Sequence, residues 1–159
     1  MNDAPTESLR RTLSEEIRRA FADVPMPASE TELGAGIDPG WPRTLQTFLG
    51  KSWEVVKRKD LLWHQGDPFY EFTDDAVTYY LQSYAQAILN DPQGFGFLID
   101  TLAWQFSPEG EPTADDRCAR LTAAQRAALG KVFEAFARSD IANDNVLAAA
   151  MLLQREWED

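Results

Sequence analysis

The sequence predicts an all-α fold: an irregular bundle of about six to seven helices in a single domain. Three observations carry this expectation. Apolar residues recur at helical spacing through much of the chain, helix caps and stops punctuate them, and no stretch shows the period-2 alternation of a half-buried strand. At 159 residues with 44% hydrophobic content, the chain has one domain by length and enough apolar material for a self-sufficient core.

Leu9, Leu13, Ile17 and Phe21 follow one another at helical spacing, with Arg10, Arg11, Glu15, Glu16, Arg18 and Arg19 on other faces, so a first helix is expected over 7–22. From 23 to 42, Pro25, Pro27, Gly34, Gly36, Pro39 and Gly40 interrupt any long element and predict a wrapping loop. Pro42 suits the first turn of a short helix ending at Leu49. Ser52 can cap another helix over 53–64, with Val56 and Leu61 on its apolar side. Residues 69–72 are the one weak strand candidate.

The clearest helix follows. Thr73 is its N-cap, Asp74 and Asp75 complement the positive end of its dipole, Val77, Tyr80, Leu81, Tyr84 and Ile88 form its stripe, and Asn90-Asp91-Pro92 stops it. Residues 93–106 are apolar almost all round and predict a buried, central helix, weakened at its start by Gly94 and Gly96. An acidic, solvent-facing loop is expected over 107–120. Thr122 and Gln125 then form a capping box before Leu129, Val132, Phe133 and Phe136, and a last helix is expected over 141–157. Leu81, Tyr84, Ile88, Leu98, Leu102, Val132, Phe133 and Leu153 are the expected core.

Phe48-Leu49-Gly50-Lys51-Ser52-Trp53, then Tyr79-Tyr80-Leu81 with Tyr84, resemble the F-L-x-x-x-W and Y-Y-L-P-x-Y patterns of a family of small bacterial helical proteins known as a domain of unknown function. Gln82 stands where that pattern carries proline, and Gln125 is similar to a spaced Gln in the helix that follows. The resemblance covers the middle of the chain and the start of its C-terminal third. It implies an α-helical bacterial domain and brings no activity or catalytic residue with it.

Charge narrows the partners. Fifteen Lys+Arg against 26 Asp+Glu give a net charge of -11, which opposes nucleic-acid and anionic-membrane binding and favours a basic protein surface. The longest apolar run, 146–153, has eight residues, far short of the roughly 18 to 20 of a membrane span. Arg10-Arg11 is not followed by an apolar stretch, so the protein is expected in the cytoplasm. Composition leaves a homo-oligomer open.

Specific chemistry finds little support. One Cys118 and one His64 exclude an internal disulfide and a Cys/His zinc cluster. His64 reads as a helix-end histidine, and Cys118, beside Arg117 and Arg120, as an inert thiol. No G-x-S-x-G elbow occurs, and Gly94-Phe95-Gly96 lacks the third glycine and the Lys of a phosphate loop. The pairs Glu15-Glu16, Asp74-Asp75 and Asp115-Asp116 diverge by about 100° on a helix, which spoils them as metal ligands. No catalytic, cofactor or metal site is assigned.

The aromatic residues are the least ordinary feature. Trp41, Trp53, Trp63, Tyr70, Tyr79, Tyr80 and Tyr84 crowd one part of the chain, and adjacent Tyr79 and Tyr80 cannot share one helix face. One of the two is expected to reach the surface or a groove, and an aromatic groove here would be rimmed by Asp67, Glu71, Asp74 and Asp75. The candidate binding residues are Trp63, His64, Tyr70, Glu71, Asp74, Asp75, Tyr79 and Tyr80. They suggest a non-catalytic domain that binds a basic protein, in the manner of an immunity protein neutralising a basic effector. The alternative is a small-molecule binder or enzyme with its pocket between His64 and the Tyr79–Tyr84 helix.

Overall fold

A long helix buried on every side organises the molecule, which the computed structural model describes over residues 4–63, 68–108, 114–139 and 143–157. Among these residues there are ten helices, seven of them at least seven residues long, and no strand. In chain order they are α1 (Glu7–Ala20), α2 (Glu30–Leu33), α3 (Trp41–Phe48), α4 (Arg58–Trp63), α5 (Asp74–Asn90), α6 (Pro92–Phe95), α7 (Leu98–Trp104), α8 (Ala114–Arg120), α9 (Ala123–Ala137) and α10 (Asp144–Gln154). A 3-10 turn, Pro68–Glu71, precedes α5. No helix among the described residues is long and apolar enough to cross a membrane.

Thr6 starts α1 by accepting the Leu9 N–H, and Thr73 starts α5 by accepting that of Ala76. The predicted capping box opens α9, with Thr122 and Gln125 each bonded to the other's backbone N–H. The eight expected core residues are all buried. Helix α1 packs across α5 and α9, and α10 lies against α9 and α7.

Several expectations are corrected. Residues 79–89 of α5 are buried without a break, so α5 is the central helix, and the apolar 93–106 stretch is divided into α6 and α7 around Gly96. The wrapping loop at 23–42 contains α2, because Ser29 caps a turn by accepting the Glu32 N–H. The helix expected over 53–64 begins at Arg58. Its first turns are diverted: the Trp53 N–H donates to the Tyr79 hydroxyl and the Trp53 carbonyl accepts from Ser83. Residues 69–72 form the 3-10 turn and one isolated bridge, Gly34 to Phe72.

The acidic loop expected over 107–120 is replaced in its second half by α8. Arg117, buried, donates to Asp74 at 3.2 Å and to Gln105, so α8 is clamped to the start of α5 and the end of α7. Cys118 is buried in the same helix, and burial, with nearby Asp115, pushes its thiol up to about 12. That agrees with an inert thiol despite the neighbouring arginines.

Candidate functional site

The two tyrosines at 79 and 80 are not divided between core and surface. Both are buried, at 6% and 0% exposure, and their rings meet edge-on at 4.8 Å. A helix enclosed on all sides has no solvent face to give either ring, so the geometric divergence of adjacent residues sends each into a different part of the core. The Tyr80 ring packs edge-on against Phe48 at 4.9 Å, and its hydroxyl sits 2.5 Å from the Phe48 carbonyl and 2.7 Å from that of Lys51, which share its proton. Burial raises this phenol above its ordinary range. Tyr79 and Tyr80 therefore fasten the 48–53 segment to α5.

Asp74 and Asp75 do lie at the start of α5, but α8 brings cations to them. Asp74 pairs with Arg117 at 3.2 Å and Arg120 at 3.5 Å, and Asp75 with Arg120 at 3.5 Å. These ion pairs reduce the negative rim that the sequence suggested. His64 and Asp67 fall outside the described residues, as does the side chain of Trp63, whose backbone ends α4. A cavity of about 240 Å³ does lie between α5 and the 53–61 segment. Its polar floor is engaged: Ser83 donates to Trp53, and Gln86 bonds twice to Ser14.

Tyr70 and Glu71 remain at the surface, and the structure gives them a shared task. One oxygen of Glu71 accepts the backbone N–H groups of Ile37 and Asp38 at 2.8 and 2.9 Å, while the Glu71 carbonyl accepts that of Ala35 at 3.1 Å. The Tyr70 hydroxyl donates to Asp38 at 2.5 Å, and that bond, with one from the Gly40 N–H, holds the Asp38 carboxyl below its usual range. Gly36 presses so closely on Trp41 that a Cβ there would lie 1.8 Å from the indole. The 34–41 loop is thus tied down at almost every residue.

Its outermost side chain is Ile37, 96% exposed beside Tyr70 at 55%. Comparison with family models, curated proteins and solved structures gives no match. Geometry alone therefore has to speak for this site. Ile37 was missed in the sequence because its loop was read only as a connector. A second signal was legible: the chain carries no Lys or Arg between Arg19 and Arg43, and none between Lys59 and Arg117. The Gly34–Phe72 bridge joins these two cation-free segments, and Glu30, Glu32 and Asp38 stand exposed around it. Among the described residues, no group of three His, Cys, Asp or Glu gathers in a way that could hold a metal ion.

Proposed function

We propose that the protein is a binding domain that engages a basic protein partner through the 34–41 loop, with Ile37 and Tyr70 as its apolar contacts and Glu30, Glu32 and Asp38 as its acidic border. The observation that carries this reading is the full exposure of Ile37 on a loop held by side-chain and backbone bonds. An isoleucine left in water gains nothing in the isolated chain, and fixing it in place removes the ordering cost that a flexible contact would meet on association. The net charge of -11 and the cation-free segments on either side favour a partner of opposite charge and steer its approach. The same charge opposes pairing of two copies through this face.

The test is recovery of partners from the native host by the tagged full chain, at low and high salt, with Ile37→Asp in parallel. A basic protein retained at low salt, weakened at high salt and lost with Ile37→Asp is the expected result. A partner held equally by the variant places the contact elsewhere.

A further inference from the structure

Beside the 34–41 loop lies a groove of about 480 Å³, walled by Gly34, Ala35, Gly36 and Phe72 and flanked by Glu30 and Glu71. We infer that this groove receives an arginine side chain of the basic partner. The inference rests on the proposed binding surface and names the chemical group that it reads. Two acidic residues line an otherwise largely apolar groove, and the carboxylate of each is held in place by its own structural bond. Glu30 accepts the Trp41 indole N–H at 3.0 Å, and Glu71 accepts the Ile37 and Asp38 N–H groups.

In both residues the bonds run to Oε1, and Oε2 has no partner among the described residues. Charge complementarity selects the occupant. No Lys or Arg lines the groove, and the nearby cations on α8, Arg117 and Arg120, are engaged by Asp74 and Asp75. A guanidinium suits this setting better than an ammonium. It is planar and weakly hydrated, so it loses less on entering an apolar-walled groove, and its several N–H donors can reach two carboxylate oxygens at once. The volume falls in the range of sites that take small organic groups.

The same geometry supplies a clean variant. Glu30→Gln and Glu71→Gln each keep a carbonyl oxygen for the structural bond, remove the charge and turn the second oxygen from an acceptor into an NH2 donor. The experiment titrates the 15N-labelled full chain with N-acetyl-arginine amide, and in parallel with the lysine and citrulline analogues, citrulline being the neutral mimic of arginine. Saturable amide shifts are expected at Gly34, Ala35, Gly36 and Thr73 with arginine, about threefold weaker binding with lysine, and none with citrulline. Each Gln variant should weaken the arginine response about tenfold while the Ile37 and Asp38 amides keep the exchange rates they have in the parent, the sign that the loop is still held.

Equal binding of citrulline, shifts confined to another surface, or Gln variants that respond like the parent would each overturn the inference. Equal binding of lysine would overturn the choice of arginine. If Glu71→Gln loosens the loop, Glu30→Gln decides, because its side chain holds only the Trp41 indole. An Ile37-dependent basic partner together with no arginine response removes the groove and leaves the surface standing. An arginine response with no Ile37-dependent partner does the reverse.

Discussion

Tyrosine hydroxyls hold irregular backbone in two regions of this molecule, and the two settings differ in their solvent. Around α5, Tyr79 and Tyr80 grip the 48–53 segment from inside the core. At the 34–41 loop, Tyr70 grips Asp38 in the open. Inside, the tyrosine rings are buried and their hydroxyls meet backbone groups that are buried or partly buried, so the bonds bear on global stability. Outside, water competes for every partner, so the same chemistry fixes a local shape and contributes little to the whole. Residue type does not separate a core tyrosine from a surface one; the neighbours that exclude water do.

The strongest way to break this contrast is to truncate the inner pair. Tyr80→Ala should cost about 3 to 5 kcal/mol, the range for emptying an aromatic site in a core, read from urea unfolding. Tyr79→Ala should destabilise in the same direction, whereas a surface tyrosine would tolerate the change. Leu102→Ala, in α7 against the same core, should cost about 2 to 5 kcal/mol. Losses well under 1 kcal/mol would mean that water reaches these positions.

Alkaline pH sharpens the comparison without a cavity. Folding raises the Tyr80 phenol above 10.0 and the Cys118 thiol from 9.0 to about 12, in both cases first through burial. The unfolded chain therefore gives up these protons at lower pH than the folded one. Their contribution is fully present below about pH 9 and declines as pH rises from there toward the folded values. Urea midpoints measured across about pH 8 to 11 should fall, and Tyr80→Phe with Cys118→Ala should flatten the decline.

The outer region should respond locally. Glu71→Ala removes the acceptor for the Ile37 and Asp38 N–H groups, so their amide exchange should accelerate while the global midpoint shifts by about 1 kcal/mol or less. Ile37→Ser touches no core contact, and its stability should stay within about 0.5 kcal/mol of the parent. A large loss there would show that Ile37 is packed against something in solution and would end its role as a free contact.

Legibility followed how local each interaction is. Helices α1, α5 and α9 were readable because their caps and stripes lie within a few residues, as with Thr73 beside Asp74 and Thr122 beside Gln125. The start of α4 was not, since the bonds that unwind 53–57 come from Tyr79 and Ser83, far along the chain. Helix α8 was hidden in an acidic, Pro-rich context because its anchor, Arg117, finds Asp74 and Gln105 only in the folded state. At the candidate site, Tyr70 and Glu71 were named from the sequence as binding candidates, and the structure leaves Tyr70 exposed and Glu71 half-buried. Their task as latches, and the Ile37 they present, depended on a segment more than thirty residues earlier.

By itself the sequence determined the all-α class, the acidic charge and the caps of the longest helices, because composition and short-range hydrogen bonding set these without reference to distant parts of the chain. Only the tertiary structure decided which helix is central, which tyrosines are buried, and that α8 pairs its arginines with Asp74 and Asp75 while Glu30 and Glu71 line a groove without Lys or Arg. Those outcomes turn on solvent exclusion and on which charges meet across the fold, and both are properties of packed surfaces rather than of neighbouring residues.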